Sequence, residues 1–307
     1  MNTNKNILDL QDELKEMPQF KTLEIIRHFN HSIKVFTGNF RQLQELLEFH
    51  NDPIKSQELH TVINRELLYE FHNEIARLLH NYVASAFSLI DHTRIHYNKL
   101  YKSDGKFPDY ESEVKKIFID DPLANFIKDL RRFVQHYKLP EISSNTVFKT
   151  NPPEFKRTLK LKKEDLMKFD WNSKSTLFLN QNNDDIDLLL LINKYYEKVS
   201  GFYKWFTDRQ NEIHQEDIVV VENKKDEIRK IAIPDLIVAA LSFPENSVSH
   251  FEGAIFSIFN LLEQNEINSI SDKERRCEKL LEVINSKVEI AFNIKNKIIS
   301  LYKKAKN

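Results

Sequence analysis

The chain has a single cysteine, Cys277, in 307 residues. An internal disulfide is therefore excluded, and a reducing compartment is expected. Glycine is nearly as scarce, with four residues. That disfavours glycine-rich phosphate loops and a turn-dense β-sandwich. A long apolar run is also missing: the longest stretch, 231–243, contains Pro234 and Asp235 and is too short to span a bilayer. The opening residues, MNTNKNILDLQDELKEM, carry no apolar signal-peptide core. A cytoplasmic protein with no membrane segment is expected. Charge of one sign is not in excess either. The net charge of −1 excludes a generally basic nucleic-acid binder.

Charged residues make up 30% and hydrophobic residues 41%, enough for one large domain or two modest ones with ample core. The charge is unevenly placed. From Lys128 to Lys163 there are ten Lys/Arg against three Asp/Glu, leaving −8 for the rest of the chain. Such a segment suits a polyanion site, and equally a solvated basic loop.

Most of the chain reads as helix. Residues 1 to about 18 suggest a short helix. Phe20 to about Asn51 carries a helical apolar stripe, with a possible kink at Thr37-Gly-Asn39. Ser56 to about Tyr101 is the longest pattern, and a helix of that length implies a bundle. Asp121 to Pro140 is the best punctuated: Asp121 suits an N-cap, Pro122 the first helical position, and Pro140 forbids continuation. Residues 141–183 change character. Asn145–Thr150, Thr158–Leu161 and Ser175–Leu179 look β-like, an insertion at about 145–180. Asp184 or Asp185 is expected to cap a helix to about Gln215. Residues 218–230 suggest a loop or edge strand, and 234–241 a short helix. An amphipathic helix is expected over 245–265, and a last helix from a Ser271/Glu274 capping box to about Lys303. The fold class is mainly α: a bundle of long antiparallel helices with a small β insertion and a helical C-terminal extension. The expected divisions are 1–50, 51–219 and 220–307.

Arg131 and His136 form an Arg-x4-His spacing in a helix end that also carries Arg132. Arginine offers a fixed fork of donors to phosphate oxygens, and histidine exchanges protons near neutrality. Phosphodiester cleavage needs those two functions and does not require a metal as well. Residues five apart lie about 140° apart around a helix, so Arg131 and His136 do not share a face, whereas Arg132 and His136 do. Either the helix frays at its end or a second subunit completes the site. Two further pairs occur. Arg65 and His72 lie on the long helix. Arg209 and His214 form an alternative catalytic pair, but among Asp208, Glu212, Glu216 and Asp217, which repel a phosphate. His92 and His96, beside Asp91, are the best-spaced metal pair, but such pairs are more often hydrogen-bonded inside a core. No metal or other cofactor is expected.

The segment LRRFVQHYKLP, preceded by the helix from Arg65 to Tyr101, resembles the HEPN family (higher eukaryotes and prokaryotes nucleotide-binding domain). The downstream GFYKWF adds a weaker similarity, and together they cover about residues 55–215. The resemblance implies a helical bundle that dimerises. It further implies a metal-independent endoribonuclease of toxin–antitoxin or anti-phage systems, with RNA as substrate and an antitoxin or defence-system protein as a possible partner. Carried over, Arg131 and His136 are the motif residues, and Arg132 stands where the family often has asparagine or another polar residue. Which arginine faces substrate stays open. Tyr137, Lys149, Lys156, Arg157 and Lys160 are expected to hold RNA. The alternative is a catalytically silent module of the same fold that binds a partner protein or nucleotide.

Overall fold

The computed structural model describes residues 6–150, 153–243 and 247–304, which are mainly α-helical with one three-stranded antiparallel sheet. Two compact units are formed, Glu24–His214 and Met1–Leu23 with Gln215–Asn307. The first division therefore differs from the expected one at residue 50. The apolar stripe of the second helix explains this, because Phe29, Phe36, Phe40, Leu43 and Leu47 all enter the bundle core.

In chain order, α1 (Ile7–Glu16) and α2 (Pro18–Asn51) are followed by two 3-10 turns and α3 (Arg65–Leu100). Next come α4 (Tyr110–Val114), a π-helical turn (Lys115–Ile119) and α5 (Pro122–His136). A hairpin of β1 (Ile142–Thr150) and β2 (Pro153–Leu161) leads to α6 (Lys163–Leu166), α7 (Ser173–Gln181), the short β3 (Ile186–Asp187) and α8 (Leu188–Ile213). The remainder is α9 (Gln215–Leu241), α10 (Val248–Ile255), α11 (Leu261–Ser269), α12 (Lys273–Lys287) and α13 (Phe292–Lys304).

In the larger unit, α2, α3, α5 and α8 contribute the core. Aromatic contacts are dense there. Phe40 stacks on Tyr196 with ring centroids 3.7 Å apart, and the Tyr82 hydroxyl donates to the Ile192 carbonyl at 3.1 Å. The hairpin pairs Ile142 with Leu161 at its base, and β3 extends the sheet on the β2 side. Leu159, Leu161 and Ile186 are buried beneath it.

The placement of α5 has three local causes. Asp121 caps it, its Oδ1 accepting from the Ala124 N–H at 2.8 Å, and Pro122 occupies the first turn. Phe126 and Phe133 stack on Trp171, at 5.1 and 5.8 Å between centroids. Asp129, only 2% exposed, accepts from the Asn172 backbone N–H at 3.0 Å, Asn172 Nδ2 at 2.6 Å and Ser175 Oγ at 2.9 Å. Asn172 is itself the N-cap of α7. Burial of a carboxylate is tolerated only when its lone pairs are filled in this way.

The smaller unit has its own core of Ile237, Phe251, Ile255, Ile267, Leu280, Ile284 and Ile298, among others. Within it the buried Glu252 accepts from Arg276 Nε and Nη2, both at 2.6 Å, and from the Tyr302 hydroxyl at 2.5 Å.

Several sequence expectations need correction. Residues 175–179 are not a strand but lie in α7, because the Asn172 cap starts a helix that the Leu-Phe-Leu run alone does not announce. Residues 218–230 are not a loop; they form one helix with 234–241, which tolerates Pro234 inside α9. Thr37-Gly-Asn39 does not interrupt α2. The N-cap of α8 is Asp187, not Asp184 or Asp185, with Oδ1 accepting from Leu190 N at 3.0 Å. The helix expected over 245–265 is two helices with a 3-10 turn between them, and its expected start lies outside the described residues. The last helix is likewise two, capped by Asp272 and not Ser271.

Removing the Asp129 carboxylate strands the Asn172 and Ser175 donors. Asp129→Ala is expected to lower unfolding stability by about 3 kcal/mol, with Asp129→Asn losing less. Urea unfolding followed by circular dichroism checks this, and equal stability of the alanine variant contradicts it.

Candidate functional site

The last two turns of α5 carry the expected pair. Arg131 turns toward α3, where its guanidinium carbon lies 3.9 Å from the centroid of the Phe87 ring. Its Nε is buried without a hydrogen-bond partner, and the side chain makes no ion pair among the described residues. The cation is thus held by an aromatic face and keeps its outer N–H groups uncommitted. Arg132 is engaged instead. It pairs with Asp129 at 3.1 Å and sits 5.4 Å from the Phe169 ring centroid. His136 is exposed and has no hydrogen bond, ion pair or ring contact among the described residues. Beside it, Tyr137 is half exposed and packs on Phe133 and Phe169, with centroids 5.2 and 5.6 Å away.

The helix keeps its geometry up to His136, so fraying does not bring Arg131 to His136. Arg131 faces α3, while Arg132 lies on the Phe169 side of α5. One copy therefore presents an uncommitted arginine and an uncommitted histidine on different flanks of the same helix end.

The basic segment is less available than its composition suggests. Lys138 is bonded to the buried Asp165. Lys162 pairs with Glu141 at 3.0 Å, and Lys163 Nζ donates to the Asn182 carbonyl at 2.6 Å. Arg157, expected to hold RNA, is buried: Nη1 donates to Ser56 Oγ at 2.9 Å and to the Pro53 carbonyl at 3.2 Å. That expectation is corrected, because the guanidinium ties the hairpin to the loop after α2. Lys156 is exposed and Lys160 half-buried, and neither makes an ion pair among the described residues. The Lys149 side chain lies outside the described residues.

The alternative pair is separated by burial. Arg209 bonds Glu212 at 2.8 Å beside an open cleft of 530 Å³ that also presents Asp109, Asp208 and Lys204. Three carboxylates against two cations make that cleft a poor phosphate site. His214 is 8% exposed, and its Nε2 is hydrogen-bonded to the Tyr101 hydroxyl, 3.2 Å away. Tyr101 in turn accepts from Gln210 Nε2 at 2.8 Å, and Gln210 Nε2 also donates to His96 Nε2 at 2.5 Å. His214 and His96 thus belong to one buried polar chain, and neither His96 nor His92, which bonds Ser32 Oγ at 2.7 Å, joins a metal-competent group. Among the described residues, no set of three or more His, Cys, Asp or Glu side chains is arranged to hold a metal ion.

A second group, with His50 and Arg157 buried and His60 and His72 half-buried, has no sequence signature. His50, His60, His72 and Arg157 come from the end of α2, a 3-10 turn, α3 and β2, and their spacing matches no motif. His50 is fully buried, with Nε2 3.1 Å from Ser144 Oγ and its ring centroid 5.2 Å from that of His60. Burial pushes the His50 imidazole down to about 4, opposed by its bond to Asn51 and aided by His60, His72 and Arg157. Burial likewise lowers His60 and His72, with Arg157 and His72 adding to the effect on His60. His96 is also pushed down to about 4, mainly by burial and then by His214 and Lys99.

Compared with family models, curated proteins and solved structures, the chain matches none.

These buried imidazoles set a pH dependence of stability. A histidine at about 4 when folded and 6.5 when unfolded binds more protons in the unfolded state between those values. Stability is therefore complete above pH 6.5 and falls as the pH drops toward 4, by roughly 3 kcal/mol per histidine at full expression. Urea midpoints across that window should fall steadily, and a His50→Asn/His96→Asn double variant should show a shallower slope. An equal slope in both proteins would refute the assignment.

Proposed function

We propose that this chain is a metal-independent endoribonuclease of the HEPN kind, working as a homodimer in which two copies of the α5 end supply one composite site. The observation that carries the reading is the state of Arg131 and His136. Among the described residues, Arg131 and His136 have no hydrogen-bonded or ionic partner, while Arg132 and Lys138 are paired with the buried carboxylates of Asp129 and Asp165. Arg131 is therefore the motif arginine. His136 assists attack of an RNA 2′-hydroxyl on the adjacent phosphorus, or protonates the leaving 5′-oxygen. Arg131 stabilises the charge that builds on the phosphoryl oxygens. The products carry a 2′,3′-cyclic phosphate and a 5′-hydroxyl. Tyr137 offers a ring to a base, and Lys156 and Lys160 offer charge to the backbone. The cellular setting consistent with this chemistry is a toxin or anti-phage effector restrained by an antitoxin or defence-system partner, in the cytoplasm.

A second reading is favoured by one observation. The Arg131 and His136 flanks are not assembled within one copy, which suits a silent module that binds a partner protein or nucleotide without cleaving RNA.

The two readings part on incubation of the purified protein with total RNA in EDTA. The nuclease reading expects cleavage to cyclic-phosphate ends, no cleavage of an all-deoxy strand, and a loss of about a hundredfold or more in rate for His136→Ala. Mixing His136→Ala with Arg131→Ala protein should restore part of the activity if the site is composite. Cleavage that survives His136→Ala, or that requires a divalent metal, overturns the proposal. Intact RNA with every protein favours the binding module.

A further inference from the structure

A second cavity lies in the bundle, away from the end of α5. It measures 510 Å³, opens to solvent on one side and is lined by the C-terminal half of α3, α4, the π-helical turn and α8. This is the size range of pockets that hold small organic ligands. Its walls are aromatic. Tyr97 and Tyr110 stack at 3.8 Å between centroids with planes 15° apart, and Phe118 meets Phe202 edge-on at 5.0 Å. The floor is chemically closed. The Thr93 hydroxyl donates to the Leu89 carbonyl at 2.6 Å and lies 2.5 Å from the Tyr203 hydroxyl, so these buried polar atoms satisfy one another. A ligand body in contact with that floor gains by being apolar.

The rim has the opposite character. Arg94, Lys102 and Lys115 stand there against a single acid, Glu111. Arg94 is shared with Asp91 at 3.0 Å, whereas Lys102 and Lys115 are exposed and make no ion pair among the described residues. The cavity is therefore apolar within and cationic at the mouth. The backbone shapes one wall. Lys115, Phe118 and Ile119 all line the cavity from the π-helical turn, whose Asp120 N–H reaches back five residues to the Lys115 carbonyl at 2.8 Å. The π turn closes the C-terminal end of α4 and so shapes this wall of the cavity. Asn125 fixes this one, its Nδ2 donating to the Phe118 and Ile119 carbonyls at 3.2 and 3.0 Å.

We infer that this cavity is a binding site for a small organic anion with a flat aromatic body. The ring system enters between the Tyr97/Tyr110 stack and the Phe118/Phe202 pair. The anionic group stays at the mouth with Lys102 and Lys115. The inference is independent of the ribonuclease reading, since it uses no residue of the α5 end.

Anilinonaphthalene sulfonate is the probe, with its uncharged parent N-phenylnaphthylamine as control, and calorimetry gives stoichiometry and affinity. One sulfonate per chain is expected. Lys102→Ala/Lys115→Ala should weaken it by about tenfold, as two exposed charge contacts allow, and leave the uncharged parent unchanged. Val114→Trp, which fills the cavity from its wall, should abolish binding of both. The lysine variant changes only exposed side chains and so reports on binding even if the tryptophan variant folds poorly. Multiple equivalent sulfonates per chain, or an affinity unmoved by the lysine pair, overturns the inference.

Discussion

The arrangement of the larger unit turns on one buried carboxylate. Asp129 sits on the face of α5 that meets α7, and four donors converge on it: the Asn172 backbone and side chain, Ser175 and Arg132. A carboxylate in that position is costly unless every lone pair is occupied, so the bond set dictates geometry. It fixes the start of α7, because Asn172 is both a partner of Asp129 and the cap of that helix. It fixes the roll of α5, because Phe126 and Phe133 can then reach Trp171. It also ties one guanidinium nitrogen of Arg132 to Asp129, whereas Arg131 lies against Phe87 and makes no ion pair among the described residues.

How much of this was legible varied with the kind of signal. Helix α5 was readable almost to the residue, because its start and stop are local: an aspartate cap, a proline in the first turn and a proline after the end. The bundle was readable from apolar periodicity. Residues 175–179 were not, since a Leu-Phe-Leu run fits either strand or helix, and the deciding Asn172 cap lies three residues upstream. The charged 218–230 segment is not legible either, because a helix with little amphipathic contrast gives periodicity nothing to detect. The bundle's true limit escaped because α2 is continuous and only its packing partners reveal where it enters the core.

The site shows the same division. Sequence spacing named Arg131, Arg132, His136, Arg209 and His214, but residue type cannot say which side chains are already employed. Burial decides that. His214 is used by Tyr101 and Arg157 by Ser56, while Arg132 is held by Asp129. A count of ten cations over 128–163 therefore overstates the charge offered to a polyanion, because Arg157 is buried and Arg132, Lys138, Lys162 and Lys163 are already bonded to carboxylates or a carbonyl of the protein. The histidine group around His50 was invisible for the converse reason: it is assembled from four elements and leaves no pattern along the chain.

The π-helical turn has a consequence for how this chain tolerates changes of length. Its carbonyl-to-amide ring closes over five residues where an α-helix closes over four, so the segment from Tyr110 to Ile119 holds one residue more than a regular helix of the same span requires. Deleting one residue from this turn would let it close over four residues, as a regular α-helix does. The deletion also turns everything on its N-terminal side by about 100° relative to Asp121. Tyr110 and Glu111 then rotate away from Tyr97 and the cavity while the bundle beyond Asp121 keeps its register. The turn is thus a ratchet position, where a single codon gained or lost separates two helix phasings.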